Sequence, residues 1–131
     1  MTPETLVQVA KEAMMKAYAP YSGYFVGAAL LTKRGEVYTG CNIENAAFGP
    51  TNCAERTAFF KAVSEGERDF AAIAVVGGKG GEITGIFPPC GVCRQVMQEF
   101  CGPDFLIHMG GKDSEIRTIT LKELLPFGFQ L

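Results

Sequence analysis

Cys53-Ala54-Glu55, followed further along the chain by Pro89-Cys90-Gly91-Val92-Cys93, sets three thiols and one carboxylate where they can act together. Thiolates are soft ligands that favour zinc over magnesium or calcium, and a C-x-x-C pair can chelate from a single turn. Four such ligands make a closed, structural site. Three leave one coordination position open, and an open position is where zinc activates water. Cys53 must come from a different element than Cys90 and Cys93, so the site is tertiary. The remaining candidates for a fourth ligand are Cys41, Cys101 and His108, and none stands at ligand spacing to the other three.

Three thiolates and one Zn²⁺ sum to a negative charge, which weakens the metal as a Lewis acid. Arg56 and Arg94 each follow a motif residue directly. Either guanidinium could hydrogen-bond a ligand sulfur and draw charge from it, or stay solvated on its helix. Glu55 carries two readings as well. Asn52-Cys53-Ala54-Glu55 has the spacing of a helix capping box, with Asn52 as cap and Glu55 reaching back. Beside an open metal position, the same carboxylate could take a proton from water and pass it on.

The length of 131 residues suits one domain, 1–131, with a single core. An apolar fraction of 47% and a charged fraction of 20% are those of a water-soluble globular chain. No apolar run is long enough to span a bilayer, and Met1-Thr2-Pro3-Glu4 lacks the layout of a secretion signal, so a cytoplasmic protein without membrane contact is expected. The net charge of −2 and the scattered basic residues argue against nucleic acid as a partner. In a reducing compartment, an odd count of 5 cysteines points to metal binding or catalysis before disulfides.

The elements that must position these residues follow from periodicity. Thr2-Pro3 is a helix start, and Leu6, Val9, Ala10, Ala13 and Ala17 share a face, predicting a helix over 3–18. Strands are expected at 26–32 and 36–43, joined by a hairpin at Lys33-Arg34-Gly35. A helix at 53–65, a buried strand at 70–76 and a helix at 91–100 follow. Strands at 105–109 and 116–120 precede a short helix opened by the capping box Thr120-Leu121-Lys122-Glu123. The glycine-rich stretch 77–85 reads as a flexible connection, since it lacks the spacing of a phosphate loop. The order α-β-β-α-β-α-β-β-α implies a mixed sheet covered by helices.

Read with its surroundings, the C-A-E … P-C-x-x-C pattern resembles the zinc-dependent cytidine deaminase family, whose class signature pairs a zinc site with a non-ligand Glu. Ala19-Pro20-Tyr21-Ser22, Val26-Gly27-Ala28-Ala29-Leu30, Gly40-Cys41-Asn42-Ile43-Glu44-Asn45-Ala46 and Glu123-Leu124-Leu125-Pro126 are similar to further family segments, in order, over nearly the whole chain. The resemblance implies a three-layer α-β-α fold with a mixed sheet of about five strands. It implies zinc held by Cys53, Cys90 and Cys93, and Glu55 moving protons in a hydrolytic deamination of cytidine and 2′-deoxycytidine. Asn42 and Glu44 would hydrogen-bond the ribose, placed together by strand alternation. Ala54 would contact the base through its backbone, and Arg56 would support a ligand sulfur. All-cysteine ligation and short length resemble the small homotetrameric branch, in which Phe129, or its neighbour Phe127, would reach a neighbouring subunit's site. Tyr24 stands where the family has Phe, with Phe25 as a substitute if the register shifts, and Phe48 stands where Tyr is frequent. Three other readings are a relative acting on blasticidin S, a polynucleotide deaminase, which would need cationic and aromatic surface this small acidic chain does not show, and a non-enzymatic structural zinc module.

Overall fold

A computed structural model describes residues 1–131. The elements are α1 (Pro3–Met14), β1 (Tyr24–Thr32), β2 (Val37–Cys41), α2 (Ala54–Ser64), β3 (Phe70–Lys79), α3 (Gly91–Phe100), β4 (Leu106–Gly110), β5 (Ile116–Thr120) and α4 (Leu121–Leu124). A short 3₁₀ turn at Lys112–Ser114 lies between β4 and β5. The five strands form one sheet in the order β2-β1-β3-β4-β5. Only β3 and β4 are parallel; every other neighbouring pair is antiparallel. The sheet is therefore mixed, and α3 is the crossover that parallel pairing requires. No helix is long and apolar enough to cross a membrane.

Strand alternation divides the core into two layers. Ala28 and Leu30 of β1, with Ile73 and Val75 of β3, face one side and pack with Ala58 and Phe59 of α2 and Met97 of α3. Ala29, Ala72, Ala74 and Val76 face the other side and pack with Leu6, Val7, Ala10 and Met14 of α1. The three layers expected from the sequence are thus present. The α1 face of the sheet is built from small residues, which lets the helix lie close. A Cβ on Gly27 would stand 2.1 Å from the Ala10 carbonyl oxygen.

Helix α1 stops earlier than periodicity predicts. Ala17 carries the apolar pattern on, but the Tyr18 amide donates to the Asn42 carbonyl and Tyr18 bridges Ile43. A tertiary pairing replaces the last helical turn. Strand β3, in contrast, runs through Gly77, Gly78 and Lys79, which were expected to be a flexible connection. These residues pair with Val26, Phe25 and Tyr24 of β1. They are glycine because neighbours press on the backbone: a Cβ on Gly78 would stand 1.8 Å from the Glu82 carbonyl oxygen. The turn proper is Gly80-Gly81, both at positive φ.

The pairing registers bring the start of β1, the end of β2 and the end of β3 to one end of the sheet, with Tyr24 opposite Lys79 and Gly27 opposite Cys41. Gly40 then decides how closely α2 sits. A Cβ there would meet the Ala54 carbonyl oxygen at 2.3 Å and the Ala58 nitrogen at 2.6 Å, both rigid backbone. Gly40→Ala must push α2 away from the sheet, and should cost about 1–3 kcal/mol of stability, read as a lowered denaturation midpoint. Gly85→Ala, where nothing lies within 4 Å, is the control and should change little.

Candidate active site

Cys53 and Cys90 are the N-cap residues of α2 and α3, and neither helix has a side-chain cap. Ser, Thr, Asp or Asn ordinarily fills that position and accepts the first free N–H groups. Here neither sulfur bonds those N–H groups, but each stands at the positive end of a helix dipole, which suits an anionic ligand atom. Cys93 lies one turn into α3 and is buried.

The three sulfurs lie within 4.8 Å of one another, and no other His, Cys, Asp or Glu joins them. Cys53 and Cys90 are 3.6 Å apart, and Cys90 and Cys93 3.5 Å apart. Sulfurs held tetrahedrally around zinc at about 2.3 Å lie about 3.8 Å from one another, so the donor set fits one zinc ion with little movement. The other fourth-ligand candidates are engaged elsewhere. His108 Nδ1 bonds the Thr118 hydroxyl within the β4–β5 pair, Cys101 is buried at the far end of α3, and Cys41 ends β2.

Arg56, in the first turn of α2, donates from Nη2 to Cys53 Sγ at 3.2 Å. Hydrogen bonds from the Cys93 thiol and from Arg56 pull the Cys53 thiol down to about 5, against the opposing effect of burial. Arg94 does neither of the things its position in sequence suggested. Its Nε donates to the Pro89 carbonyl and its Nη1 to the Leu124 carbonyl, so it ties the Cys90 loop to α4.

Glu55 does not close a capping box. The N-cap is Cys53, which makes Glu55 the second helical residue, and Asn52 spends its amide on the Thr57 hydroxyl. The Glu55 side chain is 4% exposed. Burial lifts its carboxyl to about 7, and the neighbouring Cys53 charge acts the same way, against its own backbone N–H and Arg56.

Glu55 lines a cavity of about 300 Å³ together with Cys53, Cys90, Ala54, Tyr24, Asn42 and Glu44. Asn42 and Glu44 lie beyond the end of β2, on either side of Ile43, which is held extended by isolated bridges to Tyr18 and Asn52. Both side chains are fixed by backbone. Asn42 Oδ1 accepts from the Val26 amide and its Nδ2 donates to the Tyr24 carbonyl. Glu44 Oε1 accepts from the Tyr21 and Ser22 amides, while Oε2 accepts from the Ser22 hydroxyl. The Ser22 hydroxyl, then these amides, hold the Glu44 carboxyl below its usual range.

Phe48 is largely exposed and lines a shallower depression that shares Ser22, Glu44 and Thr51 with the main cavity. Phe25 cannot replace Tyr24, because it packs on the α1 side of the sheet. Phe129 and Phe127 stay outside this cavity and are exposed, with the tail tied down by Gln95 Nε2 on the Phe129 carbonyl. A larger cavity of about 640 Å³ lies under that tail, between Gln98, Lys122 and Phe127, and holds none of the three clustered thiols. Sequence reasoning passed over Phe87 and Pro88, which line the main cavity. Their signal was adjacency: Phe87-Pro88-Pro89 runs directly into Cys90.

Three thiols at helix starts, with a buried acid beside an open ligand position, define the zinc-binding deaminases as a class. Residues 1–109 match the family model described as the cytidine and deoxycytidylate deaminase zinc-binding region. The chain belongs to this family. It is 52% identical to a cytidine deaminase of Halalkalibacterium halodurans, over 98% of this chain and 95% of that one. A crystal structure of cytidine deaminase from Burkholderia pseudomallei superposes with a TM-score of 0.91 at 49% identity, covering 98% of this chain and all of the other. A blasticidin-S deaminase of Bacillus cereus is 34% identical, over 95% of this chain and 89% of that one.

Arg56→Gln removes the cation on Cys53 and leaves the sulfurs in place. It should weaken zinc binding by about 10–100-fold, measured by competition with a chromophoric chelator. Unchanged affinity would show that the Arg56–Cys53 hydrogen bond contributes nothing to metal binding.

Proposed function

We propose that this protein hydrolyses cytidine and 2′-deoxycytidine to the uracil nucleosides and ammonia. The observation that carries the reading is one cavity that joins the buried Glu55 carboxyl and the thiol cluster to Asn42 and Glu44. Cys53, Cys90 and Cys93 would hold zinc, which when bound would supply the Lewis acid that brings the pKa of water toward about 7.

Glu55, raised toward neutrality by burial, accepts a proton from the attacking water. It returns that proton to N3 of the base as the oxygen adds at C4. The proton of the new C4 hydroxyl, passed through Glu55 to the 4-amino group, lets the C4–N bond break, so that ammonia leaves and the C4 carbonyl forms. Ala54 lines the cavity at the start of α2, where its backbone would contact the base edge. Asn42 keeps one amide hydrogen after its bond to Tyr24, and Glu44 keeps acceptor capacity, so both can meet sugar hydroxyls. Because both side chains are fixed before substrate arrives, little ordering is required on binding.

The blasticidin S reading lacks a use for Asn42 and Glu44, since that ligand does not present the same ribose. A structural zinc module would need a fourth protein ligand beside the cluster. The tail supports a further step. Phe129, exposed and outside its own cavity, would complete a neighbouring subunit's site in a homotetramer of cytoplasmic enzyme.

The deciding assay follows loss of the cytosine chromophore with cytidine, deoxycytidine, CMP and cytosine, on protein of measured zinc content. Turnover is expected for the two nucleosides. Turnover of cytosine alone, or of none, would overturn the assignment. Glu55→Gln should keep zinc and lose about 10²–10⁴-fold or more in kcat. Phe129→Ala should raise KM for cytidine while sedimentation reports a tetramer; an unaffected KM removes Phe129 from the site.

A further inference from the structure

Phe87 takes no part in the chemistry above, yet its ring lies on the boundary of two cavities. One is the main cavity with Glu55 and Cys90. The other, about 220 Å³, lies between the end of β3 and the loop that follows it, with Gly77, Gly78, Glu82 and Ile86 among its lining residues. Tyr24 and Phe87 are the two residues that both cavities share. Their ring centroids are 6.2 Å apart, with the planes tilted by 36°. The pair is a thin aromatic partition.

The seat of the Phe87 ring is built into β3. A Cβ on Gly77 would stand 2.9 Å from Phe87 Cγ and 3.0 Å from Cδ1. Glycine at this position lets the ring lie against the strand instead of in the cavity. Any larger residue there would move the ring, because it is the mobile partner of that contact.

The proposed chemistry fixes how a cytosine ring must lie. C4 faces the thiol cluster, N3 faces Glu55 on α2, and the sugar faces Asn42 and Glu44. C5 is on the edge opposite N3, away from α2; of the lining that remains, Ser22, Thr51 and Asn52 lie with the sugar-side segment, and the apolar part is Tyr24, Val26, Phe87 and Pro88. We propose that Phe87 is the specificity-determining residue of this pocket: it closes the base site against the second cavity and so restricts turnover to cytosine rings without a bulky C5 substituent. The proposal rests on the cytidine reading for the orientation of the base.

The test compares kcat/KM for cytidine and 5-iodocytidine in the wild type, Phe87→Ala, Phe87→Leu, Gly77→Ala and the double variant Gly77→Ala/Phe87→Ala. The electronic effect of iodine is common to all five and cancels in the comparison. Phe87→Ala should shift the ratio toward 5-iodocytidine by about tenfold or more, the scale of a filled or vacated hydrophobic subsite, and Phe87→Leu by less. Gly77→Ala should raise KM for cytidine by driving the ring into the base site, and the double variant should relieve that defect. If the wild type turns over cytidine but the ratio stays constant across the Phe87 series, the proposal fails. A Gly77→Ala defect that persists in the double variant also overturns it. Should Phe87→Ala not fold, the Leu variant and Gly77→Ala carry the same comparison. Absence of cytidine turnover in the wild type would instead overturn the reading beneath it.

Discussion

Two helix N-termini, neither capped by its own side chain, converge on three sulfurs. The rest of the molecule is arranged around that constraint. Each helix start carries partial positive charge and unpaired N–H donors. In isolation that is a defect; around thiolates it is what allows negative charge to gather in a small volume. The convergence needs α2 to press on the sheet, which Gly40 permits, and needs α3 to return over the same face as the β3–β4 crossover. Arg56 on Cys53 and Arg94 on the loop carbonyl of Pro89 then fix one ligand electrostatically and the other mechanically.

Glu55 draws on the same constraint. Its place in the first turn of α2 sets its carboxyl beside the cluster, and the packing that brings the helix in also takes the carboxyl out of water. An exposed glutamate two residues from a ligand would stay ionised well below neutrality. Burial moves it to about 7, where it can both accept and release a proton. The two side chains proposed to meet the sugar are settled by different means. Glu44 is ionised and caps the backbone of the 21–22 turn, and Asn42 bridges the amide of Val26 and the carbonyl of Tyr24. Polar groups proposed to serve the ligand thus hold the loop that presents them.

Much of this was legible in the sequence where local chemistry decides. The order of elements, the three thiols, the helix over 91–100 and the capping box at Thr120 follow from spacing alone, and α3 and α4 take the expected form. What was not legible came from contacts between distant segments. The end of α1 is set by Tyr18 pairing with residues 42–44, which no helical period reports. Gly77 and Gly78 look like a flexible connection because glycine is common there; only the crowding by Phe87 and Glu82 shows them as strand. Asn52 and Glu55 have the spacing of a cap, but Cys53 occupies the cap position and burial claims the carboxylate. Arg94 sits beside a ligand in sequence and turns away from it in space.

The ligands are also far apart along the chain. Cys53 and Cys90 are separated by 37 residues, a segment that contains all of α2 and β3. An ion joining them closes that segment into a loop, as a covalent cross-link would. By chain entropy alone, closing a loop of that length removes about 4 kcal/mol of freedom from the unfolded chain. All three sulfurs can share the metal only once α2 and α3 have docked, so full coordination reports a completed fold. In the proposed reaction, reagent and fastener would be one atom, and a chelator that stopped the chemistry would also loosen the sheet's main covering layer.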